Sequence, residues 1–223
     1  RADALVTGPI SKEAIGAAGS PHPGHTEMLA EMTGSGRPVM LLTAGELRVA
    51  FATTHLALAD VANSLTRVDV SHTASVLAEA LTRYFGLAEP VIAICALNPH
   101  AGDGGRFGDE EARIIEPALE DLRTDGVDAR GPFPSDTLFA RAKGGWCDGV
   151  VALYHDQGMI PVKLAGVGAV VNVTLNLPII RTSPGHGTAY DIAGTGIAEN
   201  ESTVRAIQLA ARMARRAARG GAK

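Results

Sequence analysis

The chain has 223 residues, 46% of them apolar, and a formal net charge of −4. That length suits one large domain or two small ones with a substantial core, and the mild acidity removes the electrostatic basis for nucleic-acid binding, which needs a basic surface. No apolar run reaches the roughly 18 residues that cross a bilayer, and "RADALVTGPISK" lacks the regions of a signal peptide, so a cytoplasmic protein acting on small molecules is expected.

"DALVTGP" reads as a strand, so near the start that an upstream portion is expected, and "SKEAIGAAG" reads as a helix stopped by glycine. "PGHTEML" puts His25 and Thr26 at a helix start, with Thr26 as a simple cap in the plainest reading. "PVMLLTA" and "LRVAFATT", joined only by "GE", look like an antiparallel hairpin, so the sheet is mixed or there are two sheets. "VSHTASVLAEALTRYFG" has apolar residues at three and four spacing, a helical period. "PVIAICAL" is a strand. The glycine-rich loop "NPHAGDGGRFG" and the helix "DEEARIIEPALEDLRTDG" follow, the latter opening with three acids suited to a helix N-terminus. "CDGVVALY" and "GAVVNVTL" are further strands, and the last helix carries Arg205, Arg212, Arg215, Arg216 and Arg219 on a solvated face. The class is α/β with a largely parallel sheet. Cys95 and Cys147 are expected to be reduced thiols.

Of the seven histidines, His22 lies in a loop and His72 in a helical run without polar companions, and neither is a ligand candidate. His55, His100 and His155 each follow a strand, and the carboxyl ends of strands are where open α/β sheets place ligands. Three imidazoles with an open position make a catalytic divalent-metal site, and the long intervals between them mean that the fold must assemble it. The hairpin allows one of those strand ends to face away from the other two. Lys163, Asn172 and Arg181 lie in apolar sequence, where two cations and an amide can grip a phosphate or carboxylate. The loop from His186 to Asn200, rich in small residues and carrying Asp191, suits close backbone contact with a ligand.

In order from near Ala4 to about Ala211, "GHTEML", "ATTHLAL", "NPHAGDGG", "SDTLFARA", "YHDQGMIPVK", "VNVTLNLPIIRTS" and "HGTAYDIAG" resemble the 4-hydroxythreonine-4-phosphate dehydrogenase family of vitamin B6 synthesis. The resemblance implies an isocitrate/isopropylmalate-dehydrogenase-like fold with a cleft between two lobes. Residues 20–130 would form the central lobe, with 1–19 and 131–223 part of the nucleotide-binding lobe. It implies one divalent ion (Zn, Co, Mg, Mn or Ni) held by His55, His100 and His155 at a homodimer interface with ligands from both subunits, and His155 is expected from one subunit with His55 and His100 from the other. It assigns His25, Thr26, Lys163, Asn172 and Arg181 to a phosphorylated small-molecule substrate. His186, Gly187, Thr188, Ala189, Asp191 and Asn200 would contact NAD or NADP.

Asp136 and Asp156 are candidates for proton transfer or for orienting the histidines, the second role favoured for Asp156 beside a ligand. The implied reaction is oxidation of a secondary alcohol by hydride transfer, followed by loss of carbon dioxide from the β-keto acid. Rival readings are a threonate or erythronate 4-phosphate dehydrogenase, an aromatic cis-dihydrodiol dehydrogenase and an inactive metal-binding remnant. Two departures from the family pattern stand out. The "GDPAGIGPE"-like N-terminal segment is missing, and Gly185 stands where many members have Asp.

Overall fold

The computed structural model describes residues 2–166 and 168–220. Eight strands form one mixed sheet: β1 (Leu5–Val6), β2 (Val39–Ala44), β3 (Leu47–Phe51), β4 (Ile92–Cys95), β5 (Ala129–Phe133), β6 (Gly149–Ala152), β7 (Val171–Leu175) and β8 (Arg181–Pro184), in the spatial order β1-β8-β7-β2-β3-β6-β4-β5. Strands from residues 20–130 and 131–223 alternate within it.

The expected hairpin is present, with β2 antiparallel to β3. β6 then inserts between β3 and β4 and runs parallel to both. The ends of β3, β6 and β4 therefore share one edge, and the hairpin turns none of the three strand-end histidines away. β6 and β4 are wholly buried, which is why they read as unbroken aliphatic runs.

The helices are α1 (Lys12–Ala17), α2 (His25–Met32), α3 (Leu58–Ser64), α4 (Arg67–Ala80), α5 (Glu116–Thr124), α6 (Ser135–Lys143), α7 (His155–Ala165) and α8 (Glu201–Gly220). A capping box starts α4: Thr66 Oγ1 accepts from the Asp69 amide at 3.2 Å, and Asp69 Oδ2 accepts from the Thr66 amide at 2.8 Å. Its face of Val70, Ala74 and Leu77, continued by Leu81 just past its end, is 0% exposed, and burying a side chain such as Leu77 stabilises the fold by about 1.5–3 kcal/mol. The arginine-rich last helix buries Ala206, Leu209, Ala210 and Met213, leaving its cations in water as expected.

α7 lies against β3 and β6 because Gly158 permits it. A Cβ there would come within 2.6 Å of the Phe51 ring and 2.8 Å of Ala152 Cβ. Cys95 and Cys147 are free and buried, and burial pushes their thiols up to about 12 and about 11. His72 has a polar partner after all, since its Nε2 lies 3.0 Å from the Arg37 carbonyl.

Candidate active site

Beyond their paired segments, the chains leaving β3 and β6 stay together. The Ala52 amide donates to the Ala152 carbonyl at 2.9 Å, and Thr53 donates to the Leu153 carbonyl through its amide at 3.2 Å and its hydroxyl at 2.7 Å. This carries His55 to His155, the first residue of α7, with ring centroids 5.8 Å apart. His155 Nδ1 donates to Asp156 Oδ1 at 2.6 Å, because a carboxylate only accepts; this orients the ring and leaves Nε2 as the nitrogen turned away from Asp156. Burial, then Lys12, then the His155 ring hold His55 below its ordinary value, with Glu27 opposing. Two imidazoles side by side are a donor set that suits a divalent cation.

Among the described residues, no three His, Cys, Asp or Glu side chains converge on a metal-sized point. Within one chain the two histidine rings that lie side by side are those of His55 and His155. The expected grouping was His55 with His100 instead. His100 follows β4 on the far side of β6, in a turn whose residues from His100 to Gly104 all have positive φ. It is exposed, and its ring neighbour is Phe107 at 6.5 Å. Asp136, exposed in the first turn of α6 after the edge strand β5, also lies outside the cleft of its own chain.

The third polar residue after β6 is structural. Gln157, 8% exposed, accepts from the Leu153 amide at 2.6 Å and donates to the Ala96 carbonyl at 2.7 Å and Ser135 Oγ at 2.8 Å. It ties the ends of β6 and β4 to the start of α6.

His55 and His155 open onto a cleft of about 830 Å³ that also gathers His25, Thr26, Lys163, Asn172 and Arg181, all five of the expected substrate contacts. Arg181 is 4% exposed, yet among the described residues its side-chain bonds go only to neutral hydroxyls. Nε and Nη2 donate to Thr7 Oγ1 at 3.1 and 2.7 Å, and Nη1 donates to Thr174 Oγ1 at 3.0 Å. Burial lowers Arg181 from its ordinary value, with Glu27 opposing, but a guanidinium stays charged. A buried cation held by hydroxyls alone is prepared for an anion.

Asn172 Oδ1 is buried without a partner among the described residues. Gly24, with extended backbone, is the cap of α2, so Thr26 is free of that role. Burial and the nearby Arg181 lower His25.

Lys12 and Glu27 also line the cleft, and sequence reasoning missed both. Lys12 had a signal: a lysine directly after the Ser11 cap opposes the helix dipole, a local cost that a site can explain. Glu27, three residues past its cap, looks like an ordinary first-turn acid.

A second cavity of about 510 Å³ shares Lys163, Gly185 and His186 with the first. Ala189, Ile192, Ile197 and Ser202 line it, so the expected nucleotide loop does enclose a cavity. Of the residues named there, His186 and Ala189 face this space and Gly187 the first cleft, whereas Thr188, Asp191 and Asn200 line neither. Gly185 is explained by packing. Its amide donates to the Val170 carbonyl at 3.0 Å, and a Cβ would lie 2.9 Å from Val170 Cβ and Cγ1.

The fold is an α/β architecture that solved dehydrogenases share. It superposes with a TM-score of 0.86 on the 4-hydroxythreonine-4-phosphate dehydrogenase of Klebsiella pneumoniae, at 45% identity, covering 95% of this chain and 64% of that one. It superposes with a TM-score of 0.74 on a terephthalate 1,2-cis-dihydrodiol dehydrogenase of Burkholderia xenovorans, at 35% identity, covering 94% and 66%. Residues 1–210 match the family described as pyridoxal phosphate biosynthetic protein PdxA, and the chain belongs to that family. It is 56% identical over 220 residues to the 4-hydroxythreonine-4-phosphate dehydrogenase of Geobacter metallireducens, spanning 99% of this chain and 65% of that protein's length.

Proposed function

We propose that this chain carries the substrate cleft of an NAD-dependent, divalent-metal-dependent dehydrogenase that oxidises 4-hydroxythreonine 4-phosphate to a β-keto acid, which then loses carbon dioxide. The observation that supports it most is the junction of the two cavities at Lys163, Gly185 and His186, which sets an anion-binding cleft beside a mostly apolar pocket. Arg181 and Lys163 hold the phosphate or carboxylate, and Thr26, His25 and Asn172 fix the polar atoms of the substrate between them. His55 and His155 hold the divalent ion, with Asp156 orienting His155 through Nδ1.

When bound, the ion polarises the alcohol oxygen and steadies the negative charge left by decarboxylation. His186, Ala189, Ile192 and Ile197, which line the second cavity, would hold the nucleotide, and NAD would supply the hydride acceptor there. His100 and Asp136 stand past the ends of β4 and β5, on the sheet edge that also carries His55 and His155. We propose that they act across a homodimer interface, His100 as the third metal ligand and Asp136 in proton transfer. Mn, Co, Ni, Zn and Mg all remain candidates, since imidazole suits several of them.

The 35%-identical dihydrodiol dehydrogenase makes an aromatic diol the second reading, because a buried arginine grips a carboxylate as well as a phosphate. Turnover of 4-hydroxythreonine 4-phosphate, threonate or erythronate 4-phosphate, and a carboxylated cis-dihydrodiol with NAD and NADP tests this. Preference for the first with NAD supports the proposal, and preference for the diol overturns it.

A further inference from the structure

We infer that Glu111 is a positioning residue: its buried carboxylate clamps the Asn98–Gly105 turn in the shape that presents His100 outside its own chain. The inference rests on His100 being the third metal ligand. Glu111 is 4% exposed and, among the described residues, its side chain meets only N–H donors. Oε1 accepts from the Leu97 amide at 2.9 Å and the Asn98 amide at 2.7 Å, and Oε2 accepts from Asn98 Nδ2 at 2.9 Å. The same Nδ2 donates to Glu110 Oε2 at 2.8 Å, and Arg113 Nη2 reaches Glu110 Oε1 at 3.3 Å.

A carboxylate buried without a cation is costly, and an apolar side chain would serve packing better. What it supplies is a fixed anchor for three donors at the root of the turn. The turn needs one. His100, Ala101, Gly102, Asp103 and Gly104 have φ of 53°, 54°, 81°, 46° and 66°, and a left-handed run containing three non-glycine residues does not sustain itself. The carboxylate also packs on its inner face, where a Cβ on Gly102 would lie 2.9 Å from Glu111 Oε2. His100 itself is exposed, so the anchor at its root sets where the imidazole sits.

The test is Co²⁺ titration of the full chain, followed by the visible absorption of the bound ion, in wild type, His100→Ala, Glu111→Gln and the double variant. Glu111→Gln is expected to weaken cobalt binding about tenfold or more with its unfolding midpoint kept, and to add nothing in the His100→Ala background. Wild-type affinity in Glu111→Gln, or a loss of equal size when His100 is already absent, overturns the clamp. If Glu111→Gln does not fold, Asn98→Ala, which removes the Nδ2 contacts, is judged by the same two outcomes. Wild-type affinity in His100→Ala would instead overturn the third-ligand reading on which the clamp rests.

Discussion

His55 and His155 face each other within one chain, ring centroids 5.8 Å apart, because β3 and β6 are parallel neighbours and stay paired past their ends. Asp156 fixes the proton of one of them on Nδ1. Asp156→Ala should therefore leave the fold intact, since Asp156 is exposed, and weaken divalent-metal binding roughly 10- to 100-fold. Calorimetric metal titration beside a thermal melt checks both halves. Unchanged affinity would mean that the carboxylate orients nothing.

Arg181 separates binding from stability. Removing a buried cation that makes no ion pair among the described residues relieves a desolvation cost, so Arg181→Met should keep or raise the melting temperature. Substrate affinity should fall at least tenfold, in line with roughly 1.5–3 kcal/mol for a charged hydrogen bond. A variant that melts early yet binds substrate normally would assign Arg181 to the core.

Gln157 should behave the opposite way. Gln157→Leu leaves the Leu153 amide and the Ala96 carbonyl unpaired in a buried region, at about 1–3 kcal/mol for each group. Urea unfolding should show that loss. A neutral result would show that the ends of β4 and β6 hold together without it.

The metal-free protein should lose stability as the pH falls through about 6.5, the ordinary histidine value, towards the lower folded-state values of His25 and His55. In that window the unfolded chain takes up protons that the folded one resists, which favours unfolding. Above it, neither state is protonated at these sites and the effect vanishes. His25→Gln should flatten part of the slope between pH 7.5 and 5.5 in urea midpoints, and an unchanged slope would remove His25 from the account.

The strands with two buried faces were legible because burial on both sides demands unbroken aliphatic runs, as in Ile92–Cys95 and Gly149–Ala152. The edge strand "ARGPF" was not, since an edge tolerates the arginine, glycine and proline that an interior strand rejects. Nor was "RTSP", a strand whose first residue is a buried arginine bonded to the hydroxyl of Thr174 on the neighbouring strand and to that of Thr7, far away in sequence.

Lys163, Asn172 and Arg181 stood out as polar side chains in apolar sequence, and the cleft gathers all three. The grouping of the histidines did not, because it depends on β6 inserting between β3 and β4, a long-range pairing that no local pattern records. Gln157 looked like site chemistry for a related reason: its partners Ala96 and Ser135 come from other strand ends.

In the proposed metal site, His55 and His155 come from one chain and His100 from a second. Mixed dimers measure it directly, by counting tight Co²⁺ sites after variant chains are unfolded together and refolded. His100→Ala mixed with His155→Ala should recover about one quarter of the wild-type sites, since half the random dimers are mixed and each holds one intact site. His55→Ala mixed with His155→Ala should recover none, because every site then lacks one member of the pair. Recovery in the second mixture, or none in the first while refolded wild type binds normally, would rule out this arrangement of the three histidines.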